Sequence, residues 1–101
     1  MYQILLVNST IPLGRVVATR GVHDLSSQNP EFAEFIQKCL NRHAQGDWGD
    51  MSQEDKNEND LALKAGNLRI FSAYEKTELP KIWIITEADR SATTILFPDE
   101  Y

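Results

Sequence analysis

Cysteine, histidine and glycine are scarce in this sequence, and each shortage removes a class of function. Cys39 is the one cysteine, so no intrachain disulfide can form. That agrees with a reducing compartment and makes the cytoplasm the expected location. His23 and His43 are the only histidines and stand far apart. A zinc site draws three or four ligands at recognisable spacing; no such pattern is present, so neither a metal nor a cofactor is expected. The 5 glycines form no phosphate-cradling loop. No apolar run approaches the ~20 residues that cross a bilayer, so no membrane partner is expected. The opening Met1–Val7 is too short for a secretory signal and lacks a basic start.

Basic patches are missing too, which argues against direct nucleic-acid binding. The net charge is −5, and it has one source. Between Asp47 and Asp60 lie Asp47, Asp50, Glu54, Asp55, Glu58 and Asp60 against Lys56 alone. The remaining nine acidic and nine basic residues cancel. Such a run is either a solvated helix face that aids solubility or a surface for a basic protein partner.

What is present reads as one domain spanning residues 1–101. With 42% hydrophobic and 25% charged residues, the chain has the composition of a globular protein, not a disordered one. Ile4–Val7 and Arg15–Thr19 are short aliphatic strands, with turn chemistry between them and Gly21 ending the second. Asn29-Pro30 opens a helix, with Asn29 as cap and Pro30 where its missing N–H costs nothing. Phe32, Phe35, Ile36, Cys39, Leu40 and His43 follow at one-face spacing, and Gly46 stops the helix. Ser52 caps a second helix that runs to Ala65, with Gly66 as its stop. That helix is acidic in its first two turns, and its thin apolar content (Leu61, Ala62, Leu63, Ala65) comes late.

Three strands finish the chain: Leu68–Glu75, the strongly apolar Ile82–Ile85, and Thr93–Phe97, joined by short turns at Lys76–Pro80 and Glu87–Ser91. The expected fold is therefore α+β. An antiparallel sheet, a C-terminal three-stranded meander plus short N-terminal strands, carries two main helices on one face. Phe32, Phe35, Ile36, Leu40, Ile70, Ile82, Ile84 and Ile95 are the expected core. Trp83, Phe71 and Leu96 alternate onto the other face. They form either an open partner patch or a surface covered by the N-terminal strands or the C-terminal tail.

Candidate chemistry is sparse. Cys39 lies inside the apolar stripe and reads as a small hydrophobe. His43 continues that stripe and reads as a core histidine near the helix end. Asp47, Asp50, Glu54 and Asp55 do not match the twelve-residue calcium loop. Arg90 has the fork geometry for a phosphate or carboxylate, yet an internal pair with Asp89, Glu87 or an acid of the Asp47 segment is the expectation.

Several segments carry a resemblance. These are Leu13-Gly14-Arg15-Val16-Val17-Ala18-Thr19, Arg42-His43-Ala44-Gln45-Gly46-Asp47-Trp48-Gly49-Asp50, Glu54-Asp55-Lys56 with Asn59, Ser72-Ala73-Tyr74, and Trp83 through Thr94, with Pro98-Asp99-Glu100-Tyr101. Over Leu13–Tyr101 the chain resembles a family of small bacterial proteins often called plasmid-related proteins. The resemblance implies a setting on a mobile genetic element and brings no catalytic residues with it.

The expected function is a non-enzymatic protein-binding module, a monomer or homodimer, directed at a partner with a basic surface in host defence or DNA processing. Its expected surface joins the acidic segment to the Glu87–Arg90 turn through His43, Asp47, Trp48, Asp50, Glu54, Asp55, Glu87, Asp89 and Arg90, with Trp48 as apolar anchor. The rival expectation is a small hydrolase or a nucleotide- or metal-binding protein with a polar pocket around His43, Asp47, Asp89 and Arg90.

Overall fold

A computed structural model describes residues 2–3 and 11–101. The expected strand Ile4–Val7 lies outside the described residues. The chain forms β1 (Tyr2–Gln3), β2 (Arg15–Ala18), α1 (Arg20–Gln28), α2 (Pro30–Ala44), α3 (Gln53–Ala65), β3 (Ile70–Lys76), β4 (Leu79–Thr86) and β5 (Ala92–Leu96), then a 3-10 turn at Pro98–Glu100. The strands make one sheet in the order β1-β2-β5-β4-β3. The α+β class and the antiparallel C-terminal meander are as the sequence indicates.

Two expectations need correction. The sheet is mixed, because β2 runs parallel to β5, with Val17 opposite Thr94. The described residues also form three helices, since Gly21 does not end a strand but lies in the first turn of α1. That helix has no local cap; the Thr19 side chain makes no capping bond. Its first turn is held by the far end of the chain. Glu100 Oε2 accepts from the Gly21 N–H at 3.0 Å, and Oε1 accepts from the Thr19 hydroxyl at 2.5 Å and the Phe97 N–H at 3.0 Å. A carboxylate there satisfies donors that every helix start leaves open and suits the positive end of the dipole.

The other helices obey their local signals. Asn29 accepts from the Phe32 N–H at 3.1 Å to start α2, and Ser52 accepts from the Asp55 N–H at 3.1 Å to start α3. Gly66 ends α3 in the left-handed region.

One sheet face carries cross-strand rows Val16–Thr93–Thr86–Ile70 and Ala18–Ile95–Ile84–Ser72, with Ile82 beside Tyr74. All ten side chains are buried, together with Phe32, Phe35, Ile36 and Leu40 of α2 and Val22 of α1. The eight residues expected in the core are all in it. On the opposite face Leu96 is buried, and Trp83 and Phe71 are half-buried. The Trp83 ring meets Phe71 edge-on at 4.8 Å and Tyr101 at 5.8 Å. The C-terminal residue thus closes part of the patch.

Gly49 and Gly66 both have left-handed backbones, at φ +79° and +77°. They differ in their surroundings: a Cβ on Gly49 would overlap the Ala73 carbonyl and the Tyr74 ring, and one on Gly66 would meet nothing. Gly66→Ala should therefore cost only the left-handed penalty, about 1–2 kcal/mol. Gly49→Ala should add overpacking and cost roughly 2–5 kcal/mol. Urea denaturation of the two variants checks the difference.

Candidate functional site

A continuous polar system runs through the interior from His43. The apolar stripe of α2 drives its imidazole into the sheet, where it is fully buried. Its Nδ1 lies 2.5 Å from Ser72 Oγ and its Nε2 lies 2.8 Å from Thr86 Oγ1. Thr86 Oγ1 lies 2.7 Å from Thr93 Oγ1, which donates to the Leu13 carbonyl at 2.8 Å. The proton order follows from the last link. A carbonyl only accepts, so Thr93 spends its single proton on Leu13 and must accept from Thr86. Thr86 then accepts from His43 Nε2–H, which leaves Nδ1 bare to accept from Ser72. Each buried polar atom in this row has its partner, as burial demands.

Burial pushes the His43 imidazole down to about 4. It is neutral near pH 7, and Ser72, Thr86 and Thr93 are buried with it. A base and a hydroxyl lie in contact here, yet no substrate can reach them as the fold stands. The thiol of Cys39 is likewise buried and pushed up to about 12, which removes it as a nucleophile near neutrality.

The second polar system seals an edge. β3 is the last strand of the sheet, so the backbone of Phe71, Ala73 and Glu75 points outward. Asn59 of α3 supplies one peptide-like partner: its Oδ1 accepts from the Phe71 N–H at 3.1 Å, and its amide donates to the Phe71 carbonyl. The connector after α2 supplies the next. Ala73 N–H donates to the Trp48 carbonyl at 3.3 Å, and the Ala73 carbonyl accepts from the Asp50 N–H at 2.7 Å. Asp50 Oδ2 then accepts from the Glu75 N–H at 2.9 Å. Unpaired edges invite strand addition, and this one is closed by side chains and a single bridge.

Of the nine expected site residues, His43 and Trp48 are buried and Arg90 is half-buried, while the six acidic ones are exposed. Trp48 is only 3% exposed, so its ring is no surface anchor; it packs beside His43 at 5.7 Å and donates to Asp60 at 2.9 Å. Asp47 makes a forked pair with Arg42, at 2.8 and 3.2 Å, and accepts from the Gly49 N–H. The Arg42 bond, helped by Gly49, holds its carboxyl below the usual range. Asp50 caps the sheet edge. Glu54 and Asp55 are exposed on the first turn of α3, as the charge pattern indicates.

Arg90 makes none of the expected ion pairs. Its Nη1 donates to the carbonyls of Leu68, Glu87 and Ala88 and its Nη2 to that of Ala62, at 2.6–3.2 Å. It clamps the end of α3 to the β4–β5 hairpin, with its own backbone at φ 61°. Glu87 and Asp89 are exposed on that hairpin. Asp89 accepts from the Ser91 N–H at 2.9 Å, and the Ser91 hydroxyl and backbone lower its carboxyl. No described hydrogen bond or ion pair joins Asp89 or Arg90 to His43 or Asp47. Among the described residues no three His, Cys, Asp or Glu side chains gather to hold a metal ion.

A groove of about 470 Å³ lies between α3 and the start of β3. Leu61 and Leu68, 63% and 52% exposed, line it together with Met51 and Phe71. Asp55 and Glu58 stand on its α3 wall and Arg69 on its β3 wall. The Arg69 guanidinium rests 5.4 Å from the Tyr101 ring centroid. Sequence reading missed this groove. It exists because Asn59 and Ala62, not the leucines, form the buried side of α3.

No family model, curated protein or solved structure matches the chain. Among the described residues, no helix is long and apolar enough to cross a membrane.

The His43 row makes a pH test. Its folded value of about 4 lies below the ordinary imidazole value near 6.5. The contribution is complete above pH ~6.5 and is lost as pH falls toward 4, because the unfolded chain takes up the proton first. About 3 kcal/mol of stability should disappear over that window. In His43→Gln this part of the dependence should vanish, as urea unfolding at pH 7.5, 6 and 4.5 would reveal.

Proposed function

We propose that this chain is a non-enzymatic protein-binding module, acting in the bacterial cytoplasm as a monomer or homodimer. Its docking surface is the α3–β3 groove, and its partner presents a basic surface. The observation that carries this reading is the placement of Leu61 and Leu68. Two of the most exposed large apolar side chains among the described residues line one groove, whose helical wall carries Asp55 and Glu58. Apolar side chains gathered on a surface, rimmed by charge, are the usual mark of a partner site. Neighbouring Glu54 and Asp60 extend the negative field of α3, which favours encounter with a positive partner.

The reading keeps the acidic segment as the recognition element and replaces Trp48 by the two leucines as its anchor. The setting is the mobile genetic element that the family resemblance implies, and the partner class is a host defence or DNA-processing protein. A hydrolase or a nucleotide- or metal-binding pocket around His43, Asp47, Asp89 and Arg90 has less support. His43 is sealed in the core, and Arg90 is committed to four carbonyls.

Site-specific photocrosslinking in bacterial cells tests the proposal. A photoreactive residue replacing Leu61 should give a discrete adduct with another protein. The same residue at exposed Glu78, in the β3–β4 turn, should not. Adding Asp55→Lys and Glu58→Lys should remove the adduct while the chain stays folded, at a cost of about 1 kcal/mol because Asp55 lies in the first turn of α3. Equal crosslinking at both sites, or an adduct indifferent to the charge reversal, would contradict it.

A further inference from the structure

The groove and the sealed edge together constrain the form of what docks. We infer that the groove takes an amphipathic helix with Lys or Arg along one flank and Asp or Glu along the other, and does not take a β-strand. This inference rests on the docking reading above. A partner that adds as a strand gains its affinity from backbone hydrogen bonds to a free edge. Here the Phe71 N–H and carbonyl are held by Asn59, those of Ala73 by Trp48 and Asp50, and the Glu75 N–H by the Asp50 carboxylate. An incoming strand would have to strip those partners away, leaving buried amide groups unpaired. A helix satisfies its own backbone and reads a groove through side chains alone.

Length and charge fit the same form. On α3 the lining runs from Asp55 to Ala62, roughly 10 Å, enough for about two turns of a helix laid beside it. Asp55 and Glu58 are three residues apart and therefore share one side of α3. Across the groove Arg69 is steadied by Tyr101. A helix with apolar residues at i, i+3, i+4 and i+7 would place them on Leu61, Leu68 and Phe71. Its basic flank would meet the two carboxylates and its acidic flank Arg69. Helix-in-groove recognition has this pattern of anchors.

Two peptide display libraries of equal length supply the probes. One is a stapled helix with apolar residues at those spacings and randomised flanks; the other is an extended scaffold with alternating apolar residues. Both are selected against the full chain, then measured against Leu61→Asp, whose fold is checked by thermal melting. Helical binders should be enriched at least tenfold over extended ones. They should carry Lys or Arg on one flank and lose at least tenfold in affinity for Leu61→Asp. Extended binders that win and still depend on Leu61 would overturn the helical form and leave the docking reading standing. If neither library yields Leu61-dependent binders, the docking reading fails and the inference falls with it.

Discussion

The outer edge of β3 is where the surface of this protein is decided. A sheet of this size ends in a row of backbone donors and acceptors that must be paired or wet. Asn59 lends its side-chain amide to Phe71, and the Trp48–Asp50 connector lends its backbone and one carboxylate to Ala73 and Glu75. Those bonds fix α3 beside the sheet although the helix buries only Asn59 and Ala62. With the inward side occupied by an amide and a methyl, Leu61 is left in water, and the groove follows. Gly49 permits the closest approach, since only a residue without Cβ fits against Ala73 and Tyr74.

Inside, the His43 row links α2 to β3, β4 and the β2–β5 side of the sheet. It runs from Ser72 through His43, Thr86 and Thr93 to the Leu13 carbonyl. A hydroxyl chain with one consistent proton order tolerates few rearrangements, so it sets the rotation and depth of α2 more sharply than apolar packing alone. The two polar systems meet at Trp48, whose ring touches His43 and whose carbonyl joins the β3 edge. The Asp47–Asp50 connector, expected to present Trp48 as a surface anchor, is therefore half core and half edge.

Local signals carried much of this fold. The Asn29-Pro30 start, the Ser52 cap, the Gly66 stop and the alternation in β3–β5 are each written within a few residues. What was not legible depends on partners remote in sequence. Helix α1 is closed by Glu100, and its own stretch holds Gly21, two serines and only two large apolar side chains, Val22 and Leu25. The parallel pairing of β2 with β5 has no signature in either strand. For the candidate site, the exposure of Glu54 and Asp55 was readable from charge density. The roles of Trp48, Asp50 and Arg90 were not, because a tryptophan or a charged side chain looks the same in sequence whether it meets solvent, an edge strand or a row of carbonyls. Ser72, Thr86 and Thr93 carried a faint signal: polar residues at inward positions of three strands, opposite a histidine in an apolar stripe.

Amide hydrogen exchange followed residue by residue by NMR tests the sealed edge most directly. The outward-pointing N–H groups of Phe71, Ala73 and Glu75 should exchange as slowly as those of their inward neighbours Ser72 and Tyr74. Rapid exchange of the outward three beside slow exchange of the inward two would show an open edge. It would contradict the placement of α3 and of the groove that α3 forms.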